Sequence, residues 1–230
     1  MADGRSSWPI IQYEVIGEAW QLYKQHWVVW SIAVVIVHLM SSSMAGSLGL
    51  VVGGRGVDFH SMPFFALSLL FAAIHALFLG GMIRMADHQI HGRPPRLSDM
   101  LDVLPHAFDL ILAACLVAIA VTIGMSLCFI PGLIASGLFL FTIPLVAVNR
   151  FTAVEAMTQS FTALKSQWLN VTVFHIALAV VALSGVLLCG VGVLATAPLY
   201  PLSLAILNRR FFGGAVPASA AKPGDPFPEI

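Results

Sequence analysis

The chain has 230 residues, 59% of them hydrophobic and only 10% charged, and its formal net charge is zero. Soluble domains carry about 25% charged residues, so this composition cannot cover a globule in water and requires lipid as the solvent for much of the surface. The absence of a basic excess gives no pointer to nucleic acid.

The first element opens on Ile16, Trp20, Tyr23 and Trp27, spaced by steps of four, three and four, with Glu14, Glu18, Gln21 and Gln25 opposite. That spacing predicts an amphipathic helix. The residues around it, Tyr13, Glu14, Glu18 and Trp20, do not form the basic start of a signal peptide, so the first apolar helix is expected to stay in the mature protein. Six apolar segments follow: Val28–Val52, Pro63–Met85, Leu110–Ile130, Gly132–Val148, Leu169–Leu188 and Val191–Leu207. A membrane-crossing helix needs about 20 mostly apolar residues. Pro131-Gly132 and Gly190-Val191-Gly192 are the expected tight turns between the third and fourth and the fifth and sixth segments. Pro144, Pro198 and Pro201 free backbone groups inside or near helices, which neighbouring helices or water must then satisfy. After Gly213 the chain is rich in Pro, Gly and Ala without an apolar period, and is expected to be disordered.

The opening spacing recurs at Leu97, Leu101, Leu104 and Phe108, and again at Met157, Phe161, Leu164 and Trp168. Each stripe precedes apolar segments that could form a hairpin. Phe108 to Arg150 spans 42 positions and Trp168 to Arg209 spans 41, with Cys128 and Cys189 in matching places. The expected fold is therefore all-α and polytopic: six transmembrane helices in one domain over residues 1–212, built as three parallel repeats (about 10–86, 96–150 and 152–210). Each repeat is an amphipathic helix followed by a transmembrane hairpin, and residues 213–230 are a tail. The stripes either lie in the interfacial plane, with Trp20, Trp27, Phe108, Phe161 and Trp168 as anchors, or run straight into the crossing helices. Pro105 favours a break in the second unit, and nothing comparable forces one in the first or third. Thr152 and Glu155 fit a capping box that starts the third stripe.

Lysine and arginine divide unevenly. Arg5, Lys24, Arg84, Arg93, Arg96, Arg150, Lys165, Arg209, Arg210 and Lys222 fall on one side, and Arg55 alone, in the Gly53–Met62 loop, on the other. Positive residues flanking short loops stay cytoplasmic, which places both termini in the cytoplasm.

No Asp, Glu, Lys or Arg falls in the middle of a segment, which weakens the case for proton-coupled pumping or intramembrane hydrolysis. Asp109 and Arg84 are expected at cytoplasmic ends, where the arginine can snorkel to water. His38, His75 and His175 fall within segments and, with Ser42, form a candidate intramembrane polar site. They could ligate haem or a transition metal, or simply hydrogen-bond to a neighbouring helix. Asp87-His88-Gln89-Ile90-His91, with His106 beyond, reads as a solvated hinge loop whose histidine spacing could alternatively bind metal. Cys128 and Cys189 are expected on the outer side, either bonded or as separate thiols, and Cys115 is expected to be buried. The small residues of Ser41–Ser43, Ala45–Ser47, Gly80-Gly81 and Gly185 suit close helix approach, and Ser41–Ser47 is where a polar ligand seam would be sought. No phosphate-binding loop, dinucleotide fingerprint, nucleophile elbow or zinc-protease helix occurs.

The run Pro131-Gly132, Pro144, Asn149-Arg150, Glu155-Ala156, Ser160, Lys165, Trp168, Gly190-Val191-Gly192, Pro198 and Pro201, with Ala19–Trp27 at the start, resembles the YciC-like bacterial inner-membrane proteins. It is also similar to the membrane domain that precedes some glycerophosphodiester phosphodiesterases. The resemblance implies a six-helix integral membrane protein and transfers no catalytic residue. These 230 residues contain no segment of the size of a phosphodiesterase domain, so that activity is not expected. Together these readings predict a non-enzymatic, multi-pass protein of a bacterial inner membrane, without catalytic residues, metal or cofactor, whose partners are the bilayer and other membrane proteins. It is expected to act as an accessory, organising or assembly factor. The alternative is a carrier or permease for a lipid-like or small apolar molecule.

Overall fold

The computed structural model describes residues 8–52, 62–187 and 192–213, and among them every regular element is helical. In chain order these are α1 (Glu14–Gln25), α2 (Trp27–Val52), α3 (Met62–Ile90), a 3₁₀ helix (Leu97–His106), α4 (Ala107–Leu127), α5 (Phe129–Leu138), α6 (Thr142–Ala147) and α7 (Ala153–Leu164). A 3₁₀ turn (Lys165–Gln167), α8 (Trp168–Leu187), α9 (Val193–Thr196) and α10 (Leu199–Phe212) complete them. Residues 53–61, with Arg55, together with Cys189 and the tail after Gly213, lie outside what is described, as do the side chains of Ser41–Ser47.

Among the described residues four helical stretches are long and apolar enough to cross a membrane: Leu69–Ile90, Leu97–Leu127, Phe129–Ala147 and Ala153–Ala182. A fifth arises if Glu14–Gln25 and Trp27–Leu39 are taken together, although they meet at 100°. The expected sixth segment is split at Ala197-Pro198 into four-residue α9 and 14-residue α10. At about 1.5 Å per residue α10 reaches only about 21 Å, short of a hydrocarbon core of about 30 Å.

The three stripes behave differently. The first ends in a sharp turn at His26, so α1 leaves the line of α2. Leu97–Leu127 instead runs on through Pro105 as one 31-residue stretch, and Ala153–Ala182 as one of 30. The break expected at Pro105 is therefore absent, and the sharp one occurs where no proline stands. Pro105 stands inside the 3₁₀ helix, two residues before α4 begins, and the tighter winding there accommodates its ring.

The turn between the third and fourth segments also shifts. It falls at Cys128, whose backbone is extended (φ −170°), and Pro131 sits in the first turn of α5. Gly132 is a contact residue instead: a Cβ on Gly124 would come within 2.7 Å of its Cα. Gly185 is pressed against Gly192 and Val193 in the same way, so both hairpins close on glycine. Gly81 lets α3 approach the backbone of Met100 in the 3₁₀ helix, as the small-residue pattern predicts.

One core runs through the molecule. Trp30, Phe141, Leu145, Leu164, Phe174, Leu178 and Leu202 are fully enclosed. Yet α4 and α8 are apolar all round. On α8, Val171, Phe174 and Leu178 face the core while Leu169, Val173, Ile176 and Val180 are exposed, again at steps of four, three and four. A helix with one apolar face packed and the other bare is stable only where the outer solvent is itself apolar.

Candidate functional site

The polar residues gather at one end of the bundle, and their order follows from the helix termini that meet there. Helix ends leave backbone carbonyls and amides without partners. The carbonyl of Leu22 near the end of α1 is one, because the amide of His26 bonds Tyr23 instead. Gln89 Nε2 donates to Leu22 at 2.7 Å, while its Oε1 accepts from buried Trp30 Nε1 at 2.8 Å. One side chain thus joins α1, α2 and α3 and fixes the turn at His26.

The segment Asp87–His91, expected as a solvated hinge loop, belongs to the end of α3 and its cap, with Asp87 and Gln89 buried. Arg84 does not snorkel to water. It is half-buried, 3.5 Å from both Asp87 and the carbonyl of Val148 after α6. The two loop histidines part company. His91 turns back on Asp87, with Nδ1 2.8 Å from its carbonyl. His88 lies between Asp99 (3.3 Å) and Asp102 (3.9 Å) of the 3₁₀ helix. Ligand atoms of His88, Asp99 and Asp102 lie within 4.8 Å of one another, a three-donor set of the kind a divalent cation accepts. Asp99 also accepts from the amide of Arg96 at 2.9 Å, so it caps the 3₁₀ helix as well. Asp99 and Asp102 were not legible as partners of His88, because a helix end and a turn separate them in sequence.

The same end is tied together by further bonds. Asp109 accepts from the amide of Ala153 at 3.3 Å, joining α4 to the start of α7, and Thr152 and Glu155 form the expected capping box. Asn149 donates to the carbonyl of Phe212 and accepts from Asn208. Gln167 holds the entering chain through Pro9 and Ile11. The starts of α4 and α7 and the ends of α3, α6 and α10 therefore all meet here.

Between α1, the end of α3 and α10 lies an open groove of about 570 Å³. Leu22, Ile90 and Ile206 supply apolar walls, and Arg209 and Arg210 supply charge. Arg209 donates to the carbonyl of Ile90 at 3.0 Å; Arg210 is held by Glu18 at 2.6 Å and Gln12 at 2.7 Å. The sequence places both arginines near one membrane face but gives no groove, since its walls come from three distant helices.

The candidate intramembrane residues differ in exposure. His38 and His75 are exposed on α2 and α3. His175 is half-buried, its ring edge-on to Tyr200 at 6.2 Å, and its enclosed Nδ1 has no hydrogen-bond partner among the described residues. The side chain of Ser42 lies outside the described residues. All five anchor aromatics are exposed: Trp20, Trp27, Phe108, Phe161 and Trp168, from 40% at Trp20 to 77% at Phe108. Their stripes are split, however, because Tyr23 and Leu164 turn inward. Cys128 is exposed, and Cys115 is half-buried rather than enclosed. Comparison with protein-family models, curated proteins and solved structures finds no match.

Proposed function

We propose that this chain is a non-enzymatic, multi-pass protein of a bacterial inner membrane, crossing six times with both termini in the cytoplasm, the sixth crossing made by α9 and α10 together. On this reading it is an accessory, organising or assembly factor of the YciC-like kind. It works through the outer faces of its helices and its boundary aromatics, without a resident metal or cofactor. One observation carries the reading. Exposed apolar stripes on α4 and α8 surround a centre filled by Phe141, Leu145, Phe174, Leu178 and Leu202, so binding surface is abundant on the outside and scarce within. A central conduit would need polar lining and room.

Crosslinking in native membranes followed by mass spectrometry tests this. A stoichiometric membrane partner is expected; recovery of the chain alone would defeat the accessory role. A reporter fused after Ile230 should read as cytoplasmic, and a periplasmic signal would overturn the orientation. The second reading, a carrier for a lipid-like or small apolar molecule, is favoured by the unpartnered Nδ1 of His175 beside Tyr200. Uptake that is lost in His175→Phe while the protein stays folded would select it.

A further inference from the structure

We propose that the groove between α1, the end of α3 and α10 binds the headgroup and first acyl carbons of an anionic phospholipid. This rests on the membrane reading above. Ile90, in the groove wall, is the last residue of the candidate span Leu69–Ile90, so the groove opens at a membrane boundary. The neighbouring α1 carries exposed Trp20, and Trp27 follows at the turn; tryptophan favours that depth. The walls match the molecule proposed. Leu22, Ile90 and Ile206 offer hydrocarbon, and Gln21 offers an amide to glycerol or ester oxygens. The guanidinium groups of Arg209 and Arg210 offer planar donor pairs to a phosphate. Basic pockets between transmembrane helices commonly receive such headgroups.

The charges also set the polarity of the site. Arg209 spends one donor on the carbonyl of Ile90, which fixes its reach, and meets no carboxylate among the described residues. Arg210 is held by Glu18, so a bound phosphate competes with that carboxylate for its guanidinium. The lining therefore carries two cations against one anion. Glu18 acts as a built-in competitor, and its removal should tighten binding.

Native mass spectrometry of the full chain, with phosphatidylglycerol, phosphatidylcholine and inorganic phosphate as probes, reads this directly. Wild type should retain phosphatidylglycerol over phosphatidylcholine. Arg209→Gln should weaken that retention about tenfold, as loss of one charge-assisted contact implies. Glu18→Gln should strengthen it. Opposite signs from two substitutions in one groove cannot come from general misfolding. If Arg209→Gln fails to fold, Arg209→Lys keeps the charge without the planar fork and should give a partial loss. Equal retention of the two lipids, or no change in either variant, overturns the site. Displacement of phosphatidylglycerol by inorganic phosphate at equal concentration shows a soluble-anion site and also overturns it. Alkaline extraction separates the two levels: a chain that leaves the membrane defeats the membrane reading, whereas one that stays but is indifferent to lipid charge defeats the groove alone.

Discussion

Gln89 and Ser160 do the same job at two breaks in the helical backbone. Gln89 satisfies the carbonyl of Leu22 where α1 ends, and it takes the indole N–H of Trp30. Gln89→Leu leaves both groups unpaired in a buried site and should cost about 2–4 kcal/mol. Gln89→Glu can still accept from Trp30, but its carboxylate would face the Leu22 carbonyl oxygen in a buried site, so it should cost at least as much. Thermal unfolding in one fixed detergent ranks the three proteins. Fully buried Ser160 donates to the carbonyl of Leu138 at 2.8 Å and accepts from the amide of Phe141 at 3.1 Å, across the gap between α5 and α6. Pro144 stands in the first turn of α6, where its missing N–H removes no helical bond. Ser160→Ala should lower stability by about 1–3 kcal/mol. The sequence predicts that groups freed near Pro144 need a partner. It does not name Ser160, which lies one helix further along.

At the scale of elements, glycine shows how the helices are set. A side chain at Gly81 would strike the carbonyl oxygen of Met100 at 2.8 Å, which is backbone and cannot swing aside. Gly81→Leu should therefore force α3 from the 3₁₀ helix and cost about 1–3 kcal/mol or more. Gly17, in the middle of α1, has nothing within 4 Å of such a Cβ. Gly17→Ala should accordingly stabilise by about 0.5–1 kcal/mol through backbone entropy and helix propensity. Opposite shifts in unfolding temperature would check both. The turn between α1 and α2 belongs to this scale too. Periodicity reports which residues share a face, but a straight and a bent helix have the same periodicity. The turn at His26 is decided by Gln89, some sixty positions away, and the missing break at Pro105 by local 3₁₀ winding.

For the whole molecule, the exposed stripe of Leu169, Val173, Ile176 and Val180 on α8 is the feature that demands lipid. Val173→Asp should oppose membrane insertion by about 2.5–3.5 kcal/mol, seen as a loss of membrane-integrated protein in a glycosylation or protease-protection assay. In water the same change at an exposed position would be nearly neutral, so the assay identifies the solvent. Composition alone determined that the chain is suited to lipid, because 59% hydrophobic content with only 10% charged residues cannot cover a globule in water. Local spacing determined the amphipathic starts, the capping box at Thr152 and the small-residue contact at Gly81. These depend on neighbours within a few residues or on side-chain volume alone. Only the tertiary structure decided that His88 meets Asp99 and Asp102, that Arg84 turns inward, that Tyr23 and Leu164 are buried, and that Arg209 and Arg210 stand over an apolar groove. Each of these needs helices far apart in sequence to arrive at one place, and the hydrophobic effect that brings them there is non-directional. It sets how much surface is buried, while the geometry of the helix ends chooses the pairs.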